Sequence, residues 1–413
     1  MRHHSLPVSP ATVHWGYFSK AVAPALTLRS GDRATIETLT HHAGDDYERM
    51  IAGDAGAESV YHWTREHKAV RRRGAGPSEA PLQRGAGEGL GVHLLTGPVA
   101  VEEAEPGDVL EIRILDIRAR PSCHAGHRGR CFGSNVAASW GFHYHDLIEE
   151  PKPREVVTIF ELDTSGDPFA RALYSYVWTP QTDPDGIVHP TIDYPGVRVD
   201  HNSIRRRENI LPNVKVPARL HFGTMGLAPA EADFVSSIPP GYTGGNIDDW
   251  RIGKGARMYY PVAVAGAHFS VGDPHAAQGD SELGGTAIET SLTGEFEFVL
   301  HKRATLGGTV LEGLTHPLLE TDEQWSVYGF TFPNYLAALG PDAQTVVAQH
   351  ASLDKAMRDA FRKLRRFLMT VHRLSEDEAI ALMSVAADFG VTQVVDANWG
   401  VHGSIRKSVF TSA

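Results

Sequence analysis

Residues 272–282 read GDPHAAQGDSE and set Asp273, His275, Gln278, Asp280 and Glu282 within eleven positions, with Gly272 and Gly279 as hinges. In an extended chain, side chains two apart share a face, which pairs Asp273 with His275 and Asp280 with Glu282. A carboxylate and an imidazole on one face make half of a divalent-metal site of the zinc, manganese or nickel type. A neighbouring carboxylate can then act as general base toward water. The same residues suit a polar loop whose aspartates cap turns, and local chemistry alone leaves both readings open. The preceding PVAVAGAHFSV (261–271) tilts the balance toward a site. It reads as a buried strand ending where the acidic loop begins, which would hold polar groups at a rigid edge.

A second constellation is IPPGYTGGNIDDW (238–250). Gly244 and Gly245 permit close approach of backbone amides to a ligand, as in an oxyanion site, and Asn246, Asp248 and Asp249 project beyond them. A wide β-turn with Asx capping fits equally well. In TVHWGYF (12–18), His14 beside Trp15, Tyr17 and Phe18 is either a ligand in an aromatic wall or a hydrogen-bonded core histidine. His41-His42 poses the same choice. CHAGHRGRCF (123–132) has no zinc-finger spacing.

The elements that must position these residues are mostly strands. Short runs with two-residue alternation and β-branched enrichment lie between the 41 glycines and 25 prolines of the chain. The clearest are 25–30, 33–40, 109–119, 156–162, 173–178, 256–265, 286–300 and 324–332. Ser30-Gly-Asp32 and Pro106-Gly-Asp108 supply tight turns into the next strand. The expected fold is mainly β, a sandwich or jelly-roll core of antiparallel sheets over residues 1–335. The Gly- and Arg-rich segment 68–91, with Arg71-Arg72-Arg73, reads as a solvated loop or flap. After Pro341 the spacing of Val346, Val347, Leu353, Met357, Phe361, Leu364 and Leu368 is helical. Ser375 and Glu378 form a capping box, and Gly390 is a plausible stop. Residues 341–413 are thus expected as a helical extension, packed on the core or on a neighbouring subunit. The basic run Arg362, Lys363, Arg365 and Arg366 would be its wet face.

Composition narrows the partners. With 39 Lys and Arg against 50 Asp and Glu, the net charge is −11, which disfavours nucleic acid and anionic membranes. Two cysteines in 413 residues make no disulfide framework, and no 18-residue apolar run occurs, so a soluble, cytoplasmic protein is expected. Neither a G-x-S-x-G elbow nor a Walker or dinucleotide fingerprint is present, which leaves water activated by metal or carboxylate as the simplest hydrolytic chemistry.

Taken together, TVHWGYFSKAVAPALTLRSGD (12–32), HLLTGPVAVEEAEPGDVLEIRILDI (93–117), IPPGYTGGNIDDW, YYPVAVAGAHFSVGDPHAAQGDSE (259–282) and GGTAIE (284–289) resemble the acetamidase/formamidase family, most closely its formamidase-like branch. The resemblance implies hydrolysis of short aliphatic amides to carboxylate and ammonia, on a β-sandwich that is usually a homo-oligomer, with a divalent ion, zinc foremost. It places His14, Asp248, Asp273 and His275 at the metal. Glu282, Asp280 and Glu289 would be catalytic, with Glu282 the base. Gly244, Gly245, Asn246, Trp15 and Gln278 would line the substrate pocket. Ser281 stands where glycine is expected in the motif. Two other readings are a hydrolase of another linear C–N bond (a carbamate, ureide or N-formyl compound) and a noncatalytic sandwich binding a metal or small ligand.

Overall fold

The computed structural model describes residues 1–62, 91–192 and 196–411. Segment 68–91, the expected flap, lies outside the described residues apart from its last position. Two large sheets dominate. In the nine-stranded sheet, Val109–Ala119 runs antiparallel between Leu292–His301 and Arg257–Pro261. In the twelve-stranded sheet, Phe269–Ala277 is central, with His221–Gly226 on one side. Leu94–Val101 and Ile288–Glu289 share its other side.

The sheets pack face to face. Phe222 meets Phe296 with ring centroids 5.3 Å apart, and Phe269 meets Phe298 at 5.4 Å. Ile112, Met258, Val271 and Tyr328 fill the same core. This is the mainly β, two-sheet architecture that the alternation predicts. Strand 109–119 appears with the predicted bounds, and 156–162 and 324–332 shift by a residue or two.

Three expectations need correction. The acidic motif is not a loop after a strand, because its first half is itself the buried strand Phe269–Ala277. Residues 262–268 form the turn instead, with Ala267 and His268 at positive φ. The C-terminal region is only partly helical. Leu353–Val371 and Glu376–Ala386 are helices, the second with the predicted capping box. The chain then becomes Ala387–Gln393 and Gly400–Arg406, an antiparallel pair that joins the edge of the nine-stranded sheet. Gly390 is therefore a strand residue, where a Cβ would lie 2.5 Å from the His402 ring. Among the described residues, no helix is long and apolar enough to cross a membrane.

Helix Leu353–Val371 lies on strand Gln324–Phe330, so closely that a Cβ on Gly329 would sit 2.2 Å from the Ala360 nitrogen. Arg362 and Arg366 are exposed, whereas Lys363 is buried, contrary to the wet-face reading. Its Nζ donates to the Tyr328 carbonyl at 2.7 Å and meets Asp359 Oδ2 at 2.6 Å. Asp359 Oδ2 also accepts from the Phe330 backbone N–H at 3.0 Å. Burial lowers the Lys363 pKa, and the Asp359 carboxylate opposes that shift. Asp359→Ala should therefore cost about 3–5 kcal/mol by leaving a buried ammonium unpaired. Replacing both partners with apolar residues should cost clearly less. Urea titration of the two variants checks this.

Candidate active site

The strand Phe269–Ala277 carries the centre of the site. Asp273 adopts φ +50°, which breaks the simple alternation and brings its carboxylate to His275. His275 Nε2 stands 3.3 Å from Asp273 Oδ2 and 3.2 Å from Glu289 Oε1. His275 Nδ1 faces Gln278 Oε1, a pure acceptor, at 3.2 Å. That nitrogen can donate to Gln278, while Nε2 turns toward Glu289 and Asp273, whose charges outweigh burial and raise the His275 pKa well above the usual imidazole value. Gln278 is itself fixed by donating to the Asp248 carbonyl at 2.6 Å.

Other segments close around this strand. His41 Nδ1 lies 3.8 Å from Asp273 Oδ1, and His93 Nε2 lies 3.7 Å from Asp273 Oδ2. Asp248 Oδ1 is 3.9 Å from His275 Nδ1. Glu282 and Asp396 complete the group, with ligand atoms of Asp248, Glu282 and Asp396 within 4.8 Å of one another. His42, held by Asp45 Oδ2 at 3.1 Å, lines the same space. Asn246 does so too, accepting from the Thr224 hydroxyl. Above the cluster is a cavity of about 360 Å³.

Backbone strain concentrates here. Asp248, Asp273 and Glu282 have φ of +53°, +50° and +50°, a region that non-glycine residues seldom occupy and that costs on the order of 1–3 kcal/mol each. Gly223 makes room for the result. A Cβ there would lie 2.2 Å from Asp248 Oδ1 and 2.6 Å from Asp273 Oδ2.

The electrostatics follow from burial. Desolvation raises the pKa of Glu282 well above the usual carboxylate range, and the neighbouring Asp248 adds to it. Desolvation also raises Asp248, reinforced by Asp396 and Asp273, and raises Glu289 against the pull of His275. Asp273 goes the other way: His93 and His275 outweigh its desolvation and hold it well below the ordinary value. Burial lowers His41 and His93, so both imidazoles favour the neutral, ligating form. Five polar atoms of the cluster are buried without a hydrogen-bond partner: His41 Nδ1, His275 Nε2, Asp248 Oδ1, Glu289 Oε2 and Asp396 Oδ2. Orphaned imidazole and carboxylate donors around a gap are what a divalent cation would satisfy.

The model of the Acetamidase/Formamidase family matches residues 90–236 and 230–410. The chain belongs to that family. Among curated proteins it is similar to an acetamidase of Mycolicibacterium smegmatis, 29% identical, with 46% of this chain and 49% of the relative aligned. It is also similar to a formamidase of Methylophilus methylotrophus, 28% identical, with 46% and 47% aligned. The chain thus spans about half the length of the curated relatives it matches. The crystal structure of an acetamidase from Bacillus halodurans shares the fold, with a TM-score of 0.62 at 21% identity, covering 99% of this chain and 98% of that one.

Of the residues that the family resemblance singled out, Asp248, Asp273, His275, Glu282 and Glu289 meet in one cluster, and Asn246 and Gln278 touch it or support it. Five others stand elsewhere. His14 faces Ser270 Oγ at 3.0 Å and packs at a tilt against Tyr17, and it does not line the cavity. Trp15 is core, packed on Tyr61. Asp280 points outward to Arg251 and Trp250, because positive φ at Ser281 and Glu282 turns the chain between the two carboxylates. Gly244 and Gly245 line a separate cavity of about 20 Å³. Of the Asp248-Asp249 pair, Asp248 faces inward, and Asp249 accepts from Tyr328 and Arg251. His93 and Asp396 are additions from the structure. His93 stands at the head of a family-like segment, but Asp396 has no local signal in its turn.

Gly223→Ala should leave the sheets folded but displace the Asp248 and Asp273 carboxylates. The expected result is a melting temperature within a few degrees of the parent, with weakened retention of added zinc in equilibrium dialysis.

Proposed function

We propose that this chain hydrolyses the C–N bond of small amides, giving carboxylate and ammonia, with a divalent metal ion, zinc foremost, at the buried cluster. The observation that carries this reading is the convergence of three imidazoles and five carboxyl groups, several with unpartnered atoms, at the floor of a cavity. The names of the relatives support the choice of bond. The donors fit the ion: His41, His93, Asp273, His275 and Glu289 would hold it, with Asp248 beside them. When bound, such an ion polarises a carbonyl and makes water easier to deprotonate.

The protein's own groups account for the rest. Glu282 is buried, and desolvation together with the neighbouring Asp248 raises its proton affinity, which suits a group that takes up a proton and hands it on. It would take a proton from the attacking water and deliver it to the leaving nitrogen. Asn246 presents its side-chain amide to the cavity, suited to hold the substrate amide. Gln278 keeps the His275 ring oriented from behind, and outer partners of this kind are typically worth ~10–100-fold in metal affinity or activity. The acidic net charge and the free Cys123 and Cys131 support a cytoplasmic enzyme without nucleic-acid or membrane partners. A homo-oligomer belongs to the same reading.

Glu282→Gln should lower ammonia release from formamide or acetamide by ~10²–10⁴ while the melting temperature holds. Near-full activity in that variant would show that Glu282 is not the base. Dialysis against chelator should abolish turnover with little change in melting, and zinc should restore it. Unfolding on chelation, without turnover beforehand, would mean a structural ion instead.

A further inference from the structure

Among the described residues, the cavity over the cluster is mostly apolar above its floor. Trp140, Ile192, Ile238, Ala348, Val395 and Ala397 make its walls among the described residues. At about 360 Å³ it falls within the ~300–1,000 Å³ of pockets that enclose drug-sized ligands. A primary amide of three or four heavy atoms would leave most of that space to water, and apolar walls give such water no hydrogen-bond partners.

The walls are tied to the chemistry. Trp140 Nε1 donates to the Gly285 carbonyl at 2.8 Å, and the Phe142 backbone N–H donates to the Leu283 carbonyl at 2.9 Å. Both acceptors lie in the turn that carries Glu282. Leu283 is 54% exposed and Phe142 42%, which extends the apolar surface outward from the site. A substrate group seated on Trp140 therefore braces the segment that positions the base. Remote binding energy used in this way raises kcat as well as lowering KM.

The geometry also orients the amide. The carboxyl groups that can protonate a leaving nitrogen are buried, Asp248 2% and Glu282 7% exposed, whereas Trp140 on the wall is 40% exposed. The nitrogen would sit deep and the acyl group would extend along the walls.

We infer that the substrate is a primary amide whose acyl group is apolar and larger than acetyl: a branched, cyclic or aromatic carboxamide. This rests on the amide-hydrolase reading. The reaction consumes one water: a C–O bond forms from it, the C–N bond breaks, and the water's proton leaves with nitrogen as ammonia.

The test is kcat/KM for formamide, acetamide, butyramide, cyclohexanecarboxamide and benzamide, followed by ammonia release at fixed zinc loading. The value should rise along the series, by about fourfold per methylene over the first carbons. Ile238→Trp, which fills the wall, should lower the ratio of benzamide to acetamide kcat/KM at least ~10-fold. Val395→Phe provides the same readout if that variant fails to fold. Turnover that peaks at formamide or acetamide and falls with size would overturn the inference and leave the amide-hydrolase reading intact. No ammonia from any amide with folded, zinc-loaded protein would overturn both.

Discussion

Five carboxyl groups, Asp248, Asp273, Glu282, Glu289 and Asp396, are buried together against three imidazoles. Two unit charges of like sign ~4 Å apart repel by roughly 4 kcal/mol at an effective dielectric constant of about 20. A few such pairs would consume the ~5–15 kcal/mol by which a domain is usually stable. Protons or a bound cation must therefore compensate the cluster, and the raised pKa values of Glu282, Asp248, Glu289 and Asp396 express that demand in proton affinity. An arrangement so costly for folding alone is best understood through its chemistry.

The sandwich is what makes such crowding tolerable. Asp273 and His275 are anchored on a strand hydrogen-bonded on both sides, so they have little freedom to move apart. The strained φ values of Asp248, Asp273 and Glu282 are held by their surroundings in the same way. Gly223 leaves the gap where the Asp248, Asp273 and His275 side chains converge. The second layer is neutral or paired: Gln278 and His221 stand behind His275, and Arg251 neutralises the outward-facing Asp249 and Asp280.

The C-terminal region ties the scaffold to the site. Helix Leu353–Val371 covers the outer face of the nine-stranded sheet, and the strands that follow it add to that sheet's edge. The turn between those strands delivers Asp396 to the cluster. Sheet edge, helix and site are thus one continuous structure. The region lines the cavity over the cluster as well as packing on the core.

The sequence by itself determined the mainly β architecture, the family, and five of the clustered residues. Strand alternation and turn chemistry depend on near neighbours, and the GDPHAAQGDSE and IPPGYTGGNIDDW segments keep their acids and histidine close together in the chain. Tertiary structure decided what depends on long-range placement. His41, His93 and Asp396 reach Asp273 and Asp248 from segments far apart in sequence, and only the packing of the two sheets brings them there. His14 and Trp15 carry the right side chains but face the core. Asp280 and Glu282 are two residues apart, yet left-handed backbone at Ser281 and Glu282 sends one out to Arg251 and the other into the site. Residues 387–390 read as the end of a helix stopped at Gly390, with the rest inside a helical extension, but the β-branched Val391, Thr392, Val401 and Ile405 pair at the sheet edge as strands.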